Sequence, residues 1–508
     1  MKILKSLQSV ISKLSSEEAG QFHDYLIYKK EKKLLRLFEV LYKLDDSAEL
    51  EYLMLYLKKK NVHQNLRISS KRLYYLIIDF WNDNPPEVDK NIEIGKLMHG
   101  ASVFIKRGLL QDALNLYEQA KEVAEAAEKF SCQYEILFFR NYLNNLMAPN
   151  KALKLLENIN DEAKVIGKKM EVYFSLTVLS SKMHYALYSC KNWAFNKEDE
   201  LYFDDILKEI NRLLLLEECS LRSKYLGHYL LFTANTSLPY GELDQAEYHA
   251  LESIKFSEIL FKEDPNRYRM NVMFNFKGLL NVYFVGKRKE EFGVYLQKFR
   301  EFMKSYTGKD KNMQYALYEI EFQNCVLNQE YSRAENLIIP QTLSFIKKYK
   351  GKIPFSQTWH LYSLCFAVKF SMGKLEDALF YLKQMTENDK QRALQTQLKF
   401  QNRLISLLIN FELGNFEYVD NTAKSTRRLY SDMLNSNPAG KLLIRYIIKL
   451  SKTKDVSKKV LIFKDFKMDL DEVFESFYYR KIVGVNFLSD WVNAKANQVD
   501  NIQKLVSL

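Results

Sequence analysis

The sequence predicts an all-α chain, a helical solenoid of stacked hairpins preceded by an N-terminal helical domain and closed by a C-terminal helical cap. Three observations carry that prediction. Only 16 Gly and 8 Pro occur among 508 residues, too few for a turn-rich β fold. The length exceeds what one compact core usually supports, so several domains or a quasi-linear repeat array is expected. Beyond residue 90, turn signals recur at near-constant spacing with an amphipathic segment on either side.

Composition narrows the function classes without choosing one. Hydrophobic residues make up 47% and charged residues 27%, which excludes a disordered chain. The net charge of +12 and pI near 9.0 permit attraction to nucleic acid, an anionic membrane surface or an acidic protein, and require none of them. Residues 1–84 carry 15 basic against 11 acidic side chains, and residues 441–508 carry 13 against 8, so the ends hold most of the excess. The 14% aromatic share reads as ring packing between helices more naturally than as stacking platforms. Cys132, Cys190, Cys219, Cys325 and Cys365 lie far apart with no CxxC pair, which suggests neither zinc nor disulfides and points to a reducing compartment. Met1 to Ser6 begins an amphipathic pattern with charge at Lys5 and Lys13, and no stretch approaches the roughly 18 apolar residues of a membrane span. A cytoplasmic protein without membrane insertion is expected.

Residues 1–86 read as an N-terminal domain of five short helices. The second begins where Ser15 or Ser16 caps and Glu17 and Glu18 favour the first turn, with Phe22, Tyr25 and Leu26 on one stripe. The third has a wide apolar face from Leu34, Leu35, Leu37, Phe38, Leu41 and Tyr42. The fourth holds Leu50, Leu53, Leu55 and Leu57 and ends at Lys58-Lys59-Lys60, where cations offset the helix dipole. Asn61 to Ser69 is expected to be a loop, and Ser70 to Asp83 an apolar helix with Tyr74, Tyr75, Ile77, Ile78, Phe80 and Trp81. Asn84-Pro85-Pro86 stops it and sets a domain boundary.

Residues 87–437 form the repeat region. Turns are placed near Gly108, Gly241, Gly286, Gln329, Gly373 and Gly414, the last four intervals being 45, 43, 44 and 41 residues. Turns at Met147 to Pro149 and across Cys190 to Asp199 would add two hairpins between Gly108 and Gly241, giving about eight in all. Pro149, Pro239, Pro265, Pro340, Pro354 and Pro438 fall at or beside these turns, where a missing amide donor does least harm.

The clearest unit runs from Leu97 to Ala124. Ala101 and Phe104 precede Gly108, and Ala113, Tyr117 and Ala120 follow it at helical spacing, so small residues let two helices approach while the ring fills the adjoining space. Similar units surround Gly241 (Ala234, Ala246, Ala250) and Gly373 (Leu375, Ala378), with weaker copies at Gly286 with Tyr295, at Ala334, and at Gly414 with Ala423. This pattern resembles the tetratricopeptide repeat family over roughly residues 90–435. It departs from that family in its longer period, 41 to 45 residues, and in the large residues Glu291 and Val419 at positions the family keeps small. Residues 438–508 read as the cap, with nine basic residues between Lys441 and Lys467, then Phe474, Phe477, Tyr478, Tyr479, Phe487 and Trp491.

Catalytic motifs are lacking. Gly373-Lys374 and Gly440-Lys441 miss the other elements of a phosphate loop, and there is no GxGxxG, GxSxG or HExxH. His23, His63, His99, His184, His228, His249 and His360 are scattered without ligand spacing, and pairs such as Glu17-Glu18 and Asp204-Asp205 fit helix starts or solvated faces. A non-enzymatic chain with no cofactor and no metal is therefore expected. The resemblance implies a concave groove, lined by the first helix of each hairpin, that holds a peptide or helix of another protein. Carried onto this sequence, its positions are His228, Leu231, Asn235, Met273, Phe276, Lys277, Tyr283, Glu319, Gln323, His360 and Phe370. The repeated Lys and Asn pairs that clamp a C-terminal carboxylate in some members are not found. The alternative is a regulator whose N-terminal domain contacts nucleic acid, with Lys71 and Arg72 opening a recognition helix and Lys58, Lys59 and Lys60 on phosphates. Against it stand a nine-residue connection, long for a helix-turn-helix, and the broad apolar surface of the second helix.

Overall fold

The structure is a computed structural model that describes residues 2–12, 14, 16–43, 50–59, 65–83, 90–147, 152–189, 197–238, 241–304, 310–387, 396–435, 437–475 and 488–498. All regular elements among the described residues are helical. The chain divides into two compact units, Met1–Glu125 with Phe138–Ala148, and Ala126–Leu137 with Pro149–Leu508.

The first unit opens with the five expected helices, α1 (Lys2–Ile11), α2 (Ser16–Tyr28), α3 (Lys32–Tyr42), α4 (Leu50–Lys59) and α5 (Leu66–Asp83). Their shared core is built from Leu4, Leu7, Phe22, Leu37, Phe38, Leu57, Leu73, Ile77 and Phe80. Phe22 meets Phe38 and Phe80 edge-on at 5.1 and 5.2 Å, the arrangement that aligns ring edges with ring faces. Two details differ from the sequence reading. The expected loop Asn61 to Ser69 is helical from Leu66 onward, because Asn65 takes the left-handed conformation (φ 54) and its carbonyl starts the helix. Ser69 and Ser70 then lie inside α5, and Ser70 is buried. Nor is α5 apolar all round: Leu73, Ile77 and Phe80 face the core, while Arg67, Ile68, Lys71, Arg72 and Tyr75 are exposed. The expected boundary at Asn84 to Pro86 lies outside the described residues, and the first unit continues through α6 (Lys90–Lys106) and α7 (Leu110–Ala126). Gly108 sits between them at φ 74, and Ala101, Ala113, Tyr117 and Ala120 are fully buried. In α8 (Phe130–Met147), Phe139 stacks on Tyr117 at 5.3 Å.

The second unit contains one helix that the sequence reading divided differently. Between the turns expected at Met147 to Pro149 and at Cys190 to Asp199 runs α9 (Ala152–Ser189), 38 residues without a break, where parts of two hairpins were expected. Nothing in that stretch stops a helix, since Gly167 has open space around it and costs only about 1 kcal/mol. Next come α10 (Lys197–Leu214), α11 (Leu221–Ser237), α12 (Leu243–Glu263), α13 (Pro265–Val285), α14 (Lys289–Lys304) and α15 (Lys311–Leu327). Helices α11 to α15 are 16 to 21 residues long, which accounts for a repeat longer than that of the resembling family.

After Gln329, α16 (Tyr331–Arg333) passes through a π-helical turn, Ala334–Ile338, into α17 (Ile339–Lys348). Pro340 was expected beside a turn and instead lies inside this helical run. A proline offers no amide to the carbonyl four residues back, and a π turn there absorbs the loss without ending the helix. The remaining helices are α18 (Phe355–Ser371), α19 (Leu375–Glu387), α20 (Thr396–Glu412), α21 (Phe416–Leu429), α22 (Ser431–Asn435), α23 (Pro438–Lys452), α24 (Val456–Val473) and α25 (Leu488–Ala496). Pro265 and Pro438 occupy helix starts capped by Asp264 and Asn437, and Pro354 immediately precedes α18. Pro149, Pro239, Cys190, Phe477, Tyr478, Tyr479 and Phe487 lie outside the described residues.

One turn chemistry recurs through the chain. At Gly108, Lys287, Gln329, Gly373 and Gly414 the backbone is left-handed. In each case the next amide reaches back five residues, as in Arg288 N to Tyr283 O and Lys374 N to Lys369 O, which closes the helix C-terminus. The Gly286 turn therefore pivots on Lys287, one residue later than the glycine suggested. The turn at Gly241 is made differently. A Cβ there would lie 2.0 Å from the Asn235 carbonyl oxygen, so only glycine permits the close approach.

Candidate functional site

Helix α11 packs on α12 and α18 on α19, while α13 packs on α15 and α15 on α18. A repeat of 41 to 45 residues brings equivalent positions of these helices side by side. Lys277 on α13, Glu319 on α15 and His360 on α18 meet in this way. Lys277 Nζ lies 2.6 Å from Glu319 Oε2, and His360 Nε2 lies 3.7 Å from Glu319 Oε1. Gln323 Nε2 donates to Asn281 Oδ1 at 2.6 Å one turn further along the same two helices. Next to His360, Trp359 Nε1 donates to Asn402 Oδ1 of α20 at 3.0 Å. A ladder of polar contacts thus crosses α13, α15 and α18 in an otherwise apolar interior.

Glu319 is only 5% exposed. Burial pushes its carboxyl up, but His360 and Lys277 and the hydroxyl of Tyr315 outweigh it, leaving the group below its ordinary range and ionised at neutral pH. Burial drives the His360 imidazole down and Lys277 adds to this, while the Glu319 charge draws it back up, so Lys277 is the lasting counter-charge of the carboxylate. Burial also raises the Tyr315 hydroxyl, helped by the Glu319 charge, and Lys277 sits 5.1 Å from the Tyr315 ring centroid. The side chain of His360 is 37% exposed, although its Nε2 is covered and makes no hydrogen bond among the described residues.

The other positions carried over from the repeat resemblance separate into two groups. Leu231, Met273, Phe276, Tyr283 and Phe370 are buried packing residues whose rings and chains hold neighbouring helices together. Tyr283 also donates to Glu247 Oε1 at 2.8 Å, which fixes α13 against α12. Asn235 serves the Gly241 turn, where its Oδ1 accepts the Glu242 amide at 3.2 Å. His228 is half-buried, with its Nδ1 3.0 Å from Nδ1 of His249 and its ring stacked on Phe256. Burial depresses both imidazoles, His249 to about 4, so neither carries charge at neutral pH. No family model and no curated protein matches this chain.

Tyr315 and Asn281 belong to the ladder and were not singled out from the sequence. Both were within reach: Tyr315 precedes Glu319 by one helical turn, and Asn281 is 42 residues before Gln323, the offset that relates Lys277 to Glu319. The His228–His249 pair had no such signal, because its members lie 21 residues apart on two consecutive helices, α11 and α12. No group of three or more His, Cys, Asp or Glu side chains that could hold a metal ion occurs among the described residues. None of the described helices is long and apolar enough to cross a membrane.

Of the residues considered for nucleic acid, Lys58 and Lys59 are exposed in the last turn of α4, and Lys60 lies outside the described residues. Lys71 is exposed on α5, whereas Arg72 is paired with Glu31. With α5 beginning at Leu66, the connection after α4 shortens to residues 60–65.

Proposed function

We propose that the protein is a non-catalytic scaffold or adaptor of the tetratricopeptide-like solenoid class, whose row of first helices holds a peptide or helix of a partner protein. The observation that carries this reading is the polar ladder Lys277–Glu319–His360. Buried polar groups at equivalent positions of successive helices fix their register, and an apolar face with a few fixed polar groups is the chemistry of a specific peptide groove. On this reading the last helices, where Trp491 packs edge-on against Phe411 and Phe463, close the apolar end of the array.

A second reading has its own support. The exposed side of α5, with Arg67, Lys71 and Arg72 beside Ile68 and Tyr75, lines a shallow groove of about 480 Å3 and fits a nucleic-acid-contacting N-terminal domain.

Affinity purification from the native cell, with and without nuclease, separates the two. The scaffold reading expects a nuclease-resistant protein partner that is lost when His360→Ala is combined with the charge-neutral pair Lys277→Met and Glu319→Gln, while the circular dichroism spectrum stays helical. A partner retained by that variant contradicts it. Partners that vanish with nuclease, and with Arg67→Gln and Lys71→Gln, establish the second reading in its place.

A further inference from the structure

We propose that the second unit also binds a small aromatic carboxylate, in a pocket between α9, α11 and α13 that is separate from the ladder and needs no macromolecular partner. The pocket has a volume of about 430 Å3, within the range of small-molecule sites. Its walls are the rings of Tyr173, Tyr225, Tyr229, Tyr268 and Phe274, together with Arg222, Arg267 and Asn271. No acidic side chain is among these described lining residues.

The charge in this pocket is placed and left unspent. Arg222 is 8% exposed, and its guanidinium donates to the Glu128 carbonyl oxygen at 2.9 Å and to the Tyr173 hydroxyl at 3.0 Å. The same group lies 4.5 Å from the Tyr173 ring centroid. The nearby Glu128 carboxylate is engaged elsewhere, accepting the backbone amides of Leu221 and Arg222 at 2.9 and 2.8 Å. Among the described residues, therefore, the guanidinium donates only to neutral partners, and three of its five N–H groups remain for an anion. Tyr268 gives a second, independent sign: it is 6% exposed and its hydroxyl has no hydrogen-bond partner among the described residues.

The ligand class follows from the donors and the walls. A carboxylate offers two coplanar oxygens to the remaining guanidinium donors, with Arg267 at the rim as a second cation. A phosphate would need more donors, and the amides at the start of α11 that would supply them are already taken by Glu128. The ring-lined walls favour an aromatic body, which gains offset or edge-on contacts that an aliphatic chain does not. Phe274, 50% exposed, leaves the entrance open.

The test is calorimetric titration of the full chain with indole-3-acetate, indole-3-acetamide and adenosine 5′-monophosphate. The acid is expected to bind about tenfold or more tightly than the amide, the worth of one charge-assisted hydrogen-bonded contact. Arg267→Gln and Phe274→Ala, both at exposed positions, should weaken the acid by about threefold or more with helical content unchanged. Arg222→Met should abolish binding, and the two exposed variants keep the idea testable if that buried change unfolds the chain. The proposal is overturned if acid and amide bind alike, if both exposed variants bind as the parent does, if the nucleotide binds more tightly, or if the acid does not bind at millimolar concentration.

Discussion

Replacing Lys277 by Met removes the lasting counter-charge of a carboxylate that is 5% exposed, and leaves Glu319 with the His360 imidazole and a tyrosine hydroxyl for company. Breaking a buried ion pair from one side typically costs about 3 to 5 kcal/mol. Lys277 keeps 19% of its side chain exposed, and the Tyr315 hydroxyl remains as a donor, so the lower end, about 3 kcal/mol, is expected here. The double change Lys277→Met with Glu319→Gln removes both charges and should lie within about 1 kcal/mol of the parent, because an apolar isostere often replaces a buried pair without loss. The pH dependence has a definite sign. In the parent, the depressed Glu319 carboxyl contributes stability that is present above the ordinary carboxyl range and lost as the pH falls through its lower folded value. In Lys277→Met the carboxylate is uncompensated, so acidification should relieve the destabilisation by protonating it. Hydrogen exchange of α13, α15 and α18 is the suitable assay, since local opening reports the site even where a helical array does not unfold as one unit. Equal protection in the single and double variants, or a single variant that weakens further on acidification, would refute the role given to the pair.

Other consequences are as direct. Gly241→Ala forces a Cβ to within 2.0 Å of the Asn235 carbonyl oxygen and should cost about 2 kcal/mol or more, whereas Gly414→Ala, left-handed at φ 77 but in open space, should cost about 1 kcal/mol; urea denaturation ranks them. Burial raises the thiols of Cys219 and Cys325 to about 11 and that of Cys365 further, so under native conditions iodoacetamide should modify Cys132 before these three, as read by mass spectrometry. His228 and His249 have folded values depressed by burial, so the unfolded chain binds more protons and their contribution favours unfolding as the pH falls below about 6.5. Proton NMR should show the His249 ring unprotonated at pH 6, and His249→Phe should flatten that part of the stability profile.

Helix content, turn positions and the small buried residues at Ala101, Ala113, Ala120, Ala246, Ala250, Ala378 and Ala423 were legible because each is a local signal: a period of 3.6, a left-handed residue, or a close helix approach. Pro340 was misplaced because a proline read along one dimension looks like a break, and only the π turn before it reveals how the helix continues. The start of α5 was placed at Ser70 because the polar run Asn61 to Ser69 reads as a loop, while the residue that opens the helix is Asn65. Lys277, Glu319, Gln323 and His360 meet because the repeat offset is nearly constant. Phe276, Tyr283 and their apolar companions turned inward, because on a helix buried on more than one side an aromatic residue marks a face but not which neighbour covers it. The cavity lined by Arg222 and Tyr268 had no sequence signal at all, since its walls come from three helices that no motif links.

A partner lying along the first helices is the central proposal, and site-specific photo-crosslinking tests it most directly. A photoreactive amino acid placed at Gln314, Ser356 or His360, on first helices α15 and α18, is compared with one at Tyr248, Val294 or Phe380, exposed on second helices α12, α14 and α19. The account predicts that the partner retained from the native cell is captured from the first set and not from the second. Capture from the second set alone, with nothing from Gln314, Ser356 or His360, would contradict it.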